Sequence, residues 1–239
     1  MPNHQLLDNI THKDLRVISS HHPRFGDTAS YTNIFCSELR QVQGCYPIFF
    51  RKNTDSAQFE TIALFGFASE ENLFLDETGW HAPYIPLTIQ RRPFLIGFTQ
   101  QDGNEADAQA LVHIDMDSPR VSLTEGEAVF LAQGGQSPLL QQASAILQAV
   151  YQGHQQTRAF IDSLLQYDLI EAVTLQVTLD DGSRNELGHL YTINEDQLAA
   201  LDSNVLGQLH QQGYLQHIYM ILASMAAMPQ LIEKKNRRL

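Results

Sequence analysis

The stretch EAVTLQVTLDDGSRNELGHLYTI, residues 171–193, decides the fold class. Val173, Leu175, Val177 and Leu179 alternate with polar neighbours, the period-2 pattern of a strand with one face in a core and one in water. Asp181 and Gly182 then read as the two-residue turn of a β-hairpin returning through NELGHLYTI, because glycine adopts the left-handed backbone such a turn needs. A helix would scatter those apolar side chains around its circumference, so a hairpin is the only regular structure that buries them together.

On both sides of the hairpin the period changes to that of a helix. Ser137 reads as an N-cap and Pro138 as the first helical residue. From there Leu139, Leu140, Ala143, Ile146, Leu147, Val150, Tyr151, Ile161, Leu164 and Leu165 form one apolar stripe, with Gly153 as the expected kink. After the hairpin, Asn194 and Gln197 have capping-box spacing before Leu198 and Leu201, Leu206 and Leu209 continue a helical stripe, and Gly213 stops it. Leu215, Ile218, Tyr219, Leu222 and Met225 share one face of a final helix. Met220, Met225 and Met228 read as core, with an adaptable partner-binding stripe as the alternative.

Upstream the texture is that of short strands. YPIFFRK and FETIALFGF are rich in aromatic and β-branched residues and are separated by the polar NTDSAQ, which favours two paired strands. ENLFLDETG adds a third, RPFLIGFT a fourth, and ALVHIDMDSPRVSL alternates Val112, Ile114 and Met116 against His113, Asp115 and Asp117. The expectation is one antiparallel sheet through residues 46–123, while HHPRFGDTASY reads as loop. The fold class is therefore α+β, with an antiparallel sheet in the first half and a helix, a β-hairpin and C-terminal helices packed on or beside it. Residues 1–135 form a sheet-rich part and 136–239 a helix-hairpin-helix part, with the softest seam at AQGGQSP; one compact domain is the alternative.

Charge and composition exclude several functions. A net charge of −12 repels a phosphate backbone and argues against a nucleic-acid partner. No apolar run approaches the ~20 residues of a membrane span, and MPNHQLLDNITHKDL has no signal-peptide core, so a cytoplasmic location is expected. Cys36 and Cys45 have neither disulfide-framework nor zinc spacing. The basic terminus EKKNRRL reads as a solvated tail.

Two segments carry candidate chemistry. In GWHAPYIPLTIQRRPF, residues 79–94, Pro83, Pro86 and Pro93 hold the chain extended, so that Trp80 and Tyr84 present apolar faces with polar tips while Arg91 and Arg92 offer forked donors. The four form the expected ligand-binding edge for a peptide or a small anion. The competing reading has Trp80 and Phe94 covering one end of the sheet, with the arginines paired to some of the 27 acidic residues. His113 and Asp115 also form a His-x-Asp pair on a strand, two parts of an iron-oxygenase triad, with His154, His189, His210 or His217 as the third ligand; an exposed polar strand face explains the same letters. Nucleophile-elbow, phosphate-loop, dinucleotide and zinc-protease motifs are all absent.

YPIFFRK at 46–52, NLFLDETGWHAPYIPLTIQRRPF at 72–94 and the run FIDSLLQYDLIEAVTLQVTLDDGSRNELGHLYTINEDQLAALDS resemble the SapC-like family of bacterial proteins, over most of the chain after residue 30. The resemblance brings no catalytic residue and no cofactor to any position. Similar proteins tend to be encoded beside TonB-dependent outer-membrane receptors, flavin-dependent halogenase-like enzymes and cupin-like proteins, which implies a shared pathway. The expectation is a non-catalytic binding or accessory protein that acts with receptor or modifying-enzyme partners, takes a protein, a peptide or a small anion, and leaves self-association open. Its rivals are a metal-dependent oxygenase-like enzyme using the His113 and Asp115 face, and a structural protein associated with a surface layer, as the family name implies.

Overall fold

The computed structural model describes residues 3–98 and 110–239; Met1, Pro2 and Thr99, the last residue of the expected fourth strand, lie outside the described residues. The fold is α+β, with antiparallel strands and several helices. The chain divides into two compact units that interleave in sequence, one of residues 1–27, 77–79 and 87–152, the other of residues 28–76, 80–86 and 153–239. The seam expected near residue 135 lies inside the first of these.

In the second unit the hairpin forms as its period demands, from β12 (Ile170–Thr178) and β13 (Arg184–Ile193). The turn is one residue longer than expected. Leu179 N–H still bonds the Ser183 carbonyl at 2.9 Å, so Asp180, Asp181 and Gly182 make a three-residue loop, with Gly182 left-handed at φ 81°. Gly188 and His189 on β13 stand opposite Thr174 alone, and His189 has φ 61°, as a bulge requires.

The hairpin then joins the strands of the first half edge to edge. β13 pairs with β4 (Ile48–Lys52), which pairs with β5 (Phe59–Leu64), which pairs with β3 (Tyr31–Asn33), giving the all-antiparallel order β12-β13-β4-β5-β3. Thus the strands of the expected single sheet through 46–123 are divided among four sheets. The edge of β5 is taken by β3, which begins at the last residue of the segment read as loop, and the residues 65–93 that follow β5 hold three prolines that lack the N–H a ladder needs. ENLFLDETG contributes two-residue strands only, β6 (Leu75–Asp76) and β7 (Gly79–Trp80).

Tyr46, Ile48, Phe50, Ile62 and Phe65 are fully buried in this unit, together with Phe160 and Leu164 from the long helix α3 (Pro138–Gln166). Each such side chain contributes about 1.5–3 kcal/mol by leaving water. Around them lie α1 (Leu39–Val42), α4 (Glu195–Ala200), α5 (Ser203–Gln211), α6 (Tyr214–Ala223) and α7 (Met228–Asn236). Asn194 caps α4 by accepting from Gln197 N–H at 2.8 Å, and Gly213, at φ 78°, separates α5 from α6. Met220 is buried, and Met225 and Met228 pack against the same core. By length and composition the helical run Tyr214–Asn236 qualifies as a membrane span, at mean hydropathy 1.2, yet Ile218, Ile221 and Leu231 on it are wholly buried here.

The basic terminus, expected to be a solvated tail, is exposed at Arg237 and Leu239 but makes specific contacts through other residues. Arg238 donates to the carbonyls of Asn72, Leu73 and Leu75 at 3.0, 3.1 and 2.9 Å, Lys235 pairs with Glu71, and Lys234 lies over the Phe74 ring. Three carbonyls converge on one guanidinium, a feature of the tertiary fold that a charge run does not reveal.

The first unit holds the sheet β1-β9-β8, built from β1 (His4–Leu6), β8 (Phe94–Phe98) and β9 (Ala110–Asp115). Beside it β2 (Arg16–Val17) pairs with β10 (Val121–Ser122) and β11 (Glu127–Ala128), and α2 (Leu87–Gln90) precedes β8. Leu15, Val17, Phe94, Ile114 and Val129 pack with Leu140, Ala143 and Leu147 of α3. Ser137 accepts from Leu140 N–H at 3.3 Å and caps that helix. α3 runs unbroken through Gly153, where a kink was expected. Gly153 serves a close approach instead: a Cβ there would stand 2.8 Å from the Cβ of Phe35.

Candidate functional site

The two halves of the 79–94 segment go to different units. Trp80 and Tyr84 are half-buried in the second. The Trp80 indole N–H donates to the Tyr46 hydroxyl at 2.8 Å, Tyr46 donates to the Tyr84 carbonyl, and the Tyr84 hydroxyl donates to Glu38 Oε1 at 2.9 Å. Glu38 is 2% exposed and also accepts from Phe35 N–H at 3.1 Å. Burial raises the Tyr46 phenol well above its usual value; for Tyr84, burial and then the Glu38 carboxylate do the same. The polar tips expected to splay outward are therefore turned inward onto a buried carboxylate and a buried phenol, while part of each ring stays accessible.

Arg91 and Arg92 belong to the first unit. Arg91 donates to the Phe94 carbonyl at 3.0 Å, and burial, then the charge of Arg92, lowers its pKa. Arg92 is about one-third exposed, donates to the Gly26 carbonyl at 3.0 Å and reaches Asp27 Oδ1 at 3.5 Å. It also lines a cavity of about 290 Å³, together with Ser19, His21, Gln90, Arg120 and Glu127.

Local structure builds this cavity from residues far apart in sequence. A 3₁₀ turn at Pro23–Phe25 ends on Gly26 at φ 76°, the left-handed step that glycine makes without strain, and leads directly to Asp27. Arg120 sits just before β10 with its guanidinium over the Phe25 ring, 5.0 Å from the centroid. At 1% exposure it is the largest fully buried side chain among the described residues. Its Nη1 donates to the carbonyls of Ile18 and Ser20 at 2.9 and 2.6 Å, and its Nη2 pairs with Asp27. Its Nε has no acceptor among the described residues although it is buried. His21 Nδ1 lies 3.3 Å from both Asp27 Oδ2 and Arg120 Nη2.

The electrostatics follow from the same geometry. Burial pushes the Asp27 carboxyl upward, but the His21 hydrogen bond and the charges of Arg120, His21 and Arg92 outweigh it and hold the group below its usual value. Burial lowers the Arg120 pKa, against the opposing pull of Asp27. Asp27 is thus a fixed anion that two guanidiniums share, and one buried N–H of Arg120 has no acceptor among the described residues.

Of the four residues the sequence marks, only Arg92 lines this cavity. Asp27, His21 and Arg120 escape a sequence reading because a lone Asp in a glycine-containing loop and a lone Arg after a proline look like solvated turn residues. No periodic signal marks a charge for burial.

Elsewhere, Ile114 on β9 is fully buried while His113 turns to the other face, where its ring lies so close over Gly97 that a Cβ there would stand 2.4 Å from it. Asp115 and Asp117 accept the backbone N–H groups of Asp117 and Asn3. No group of three His, Cys, Asp or Glu among the described residues is placed to hold a metal ion, and His113 and Asp115 have no third ligand among them. Both cysteines are free, and burial pushes the Cys36 thiol up to about 11.

No curated protein and no solved structure matches this chain. The SapC family model matches residues 7–231, spanning both units and all the residues of the cavity. This chain belongs to the SapC family.

Proposed function

We propose that the protein is a non-catalytic binding protein that takes a small anion, a carboxylate or a phosphate group, in the first-unit cavity, and that it acts as an accessory to protein partners. The observation that carries the reading is the pair of guanidinium side chains on one cavity: Arg120, whose buried Nε–H has no acceptor among the described residues, and Arg92, partly open to water, both line it. An orphaned charged donor costs about 1–3 kcal/mol or more, and an anionic oxygen at that point recovers it. Gln90, Ser19 and His21 on the same wall supply further hydrogen-bonding groups. Asp27, held ionised by its cations, is a poor proton acceptor near neutral pH, and the raised Cys36 thiol is a poor nucleophile, which supports binding over catalysis. In the second unit, Trp80 and Tyr84 are the contact residues we assign to a protein partner.

The test is calorimetric titration of the full chain with inorganic phosphate and with acetate at low salt, for the wild type and Arg92→Ala. Arg92 is exposed enough for its loss to leave the fold intact, and removing one charge-assisted hydrogen bond weakens binding about tenfold or more. Absence of binding by both anions, or equal affinity in the variant, overturns the reading.

A further inference from the structure

The second unit contains a separate groove of about 320 Å³ lined by the second half of α3 and by residues of β3 and β5. Ile34, Phe35, Phe59 and Ile161 form an apolar patch on its wall, polar and charged residues including Lys52, Glu60 and Asp162 line the rest, and the exposed Arg158 and Leu165 also border it. Within it lies Thr61, 1% exposed, whose hydroxyl is buried and has no hydrogen-bond partner among the described residues. Thr61 occupies the middle of β5, opposite Phe50 in the register, so its position is fixed by the ladder and its side chain cannot turn to solvent.

We propose that this groove is a second ligand site, for a small amphipathic molecule whose apolar, ring-sized body fills the space between Phe35, Phe59 and Ile161 and whose hydroxyl or carbonyl group reaches Thr61. A volume of this size is at the lower end of small-molecule sites, which are mostly apolar with few polar groups that fix orientation. The unpartnered hydroxyl supplies that orientation. A buried hydroxyl left unsatisfied destabilises the chain, whereas an isosteric methyl would not, so Thr in place of Val at this position is explained by a polar atom that arrives from outside. The site lies in the other unit from the anion cavity and shares no residue with it, so either reading can fail without the other.

The probes are p-cresol and p-xylene, which have the same shape and differ by a hydroxyl in place of a methyl. The readout is the methyl NMR shifts of Ile34 and Ile161 in the full chain. Wild type is expected to bind p-cresol about tenfold more tightly than p-xylene, as sites with a committed polar group do. Thr61→Val, which keeps the shape, removes that preference. Leu165→Trp, a change at an exposed position of the mouth, blocks both probes. Unshifted methyls, a cresol preference that survives Thr61→Val, or binding untouched by Leu165→Trp overturns the proposal.

Discussion

Replacing Asp27 by Asn keeps the shape of the side chain and removes its charge. Asp27 is fully buried, and its ion-pair partner Arg120 has a side chain 2% exposed, so the pair is screened little by water. In the variant the Arg120 guanidinium keeps the Ile18 and Ser20 carbonyls but loses its counter-charge, and breaking a buried pair from one side costs about 3–5 kcal/mol. Arg92→Ala is the internal control. Its ion pair with the same carboxylate is long at 3.5 Å and one-third exposed, which limits its contribution to about 0–1 kcal/mol. Urea denaturation followed by far-UV circular dichroism measures both. Trp80, the sole tryptophan, belongs to the second unit and reports that unit separately by fluorescence. The pH dependence carries a sign that can be checked. The carboxyl is lower in the folded state than in the unfolded one, so its stabilisation is complete above the unfolded value and is lost as pH falls through the folded one, below about pH 4. Asp27→Asn lacks this component of acid sensitivity. A variant within about 1 kcal/mol of wild type, or an unchanged acid limb, refutes the assignment of Asp27 as the anchor of the cavity.

Two further substitutions test the packing. Arg238→Ala removes three hydrogen bonds to the Asn72, Leu73 and Leu75 carbonyls and is expected to lower stability by about 1–3 kcal/mol in the fluorescence-detected transition, whereas a solvated tail residue would give no change. Gly153→Ala raises intrinsic helix propensity by about 1 kcal/mol, yet its Cβ meets Phe35 at 2.8 Å; a net loss of about 1–3 kcal/mol by calorimetry is expected, and a net gain contradicts the close approach.

How much was legible follows from the range of each interaction. Ser137, Asn194 and Gly213 punctuate helices through bonds to residues within a turn or so, and all three act where the sequence places them. The β12-β13 hairpin closes over a short loop, so its period and its glycine sufficed, although the loop is three residues long because Leu179 and Ser183 still pair. Strand partnership beyond neighbours was not legible. β13 finds β4 and β5 finds β3 because those edges bury apolar faces together, and nothing in a strand's own letters names its neighbour. Burial of charge is equally invisible: nothing in the sequence marks Arg120 or Glu38, which are 1% and 2% exposed.

The sequence by itself determined the alternation of periods, and with it the α+β class, the long helix, the hairpin and the segment around Trp80 and Arg92. Only the tertiary structure decided that this segment divides between two units, that its indole and phenol anchor to Tyr46 and Glu38, and that Arg92 joins Asp27 and Arg120 at a cavity. The physical reason is that local backbone preference acts over a few residues, whereas desolvating a charge is tolerated only where distant partners meet it, and those partners are chosen by the packing of the whole chain.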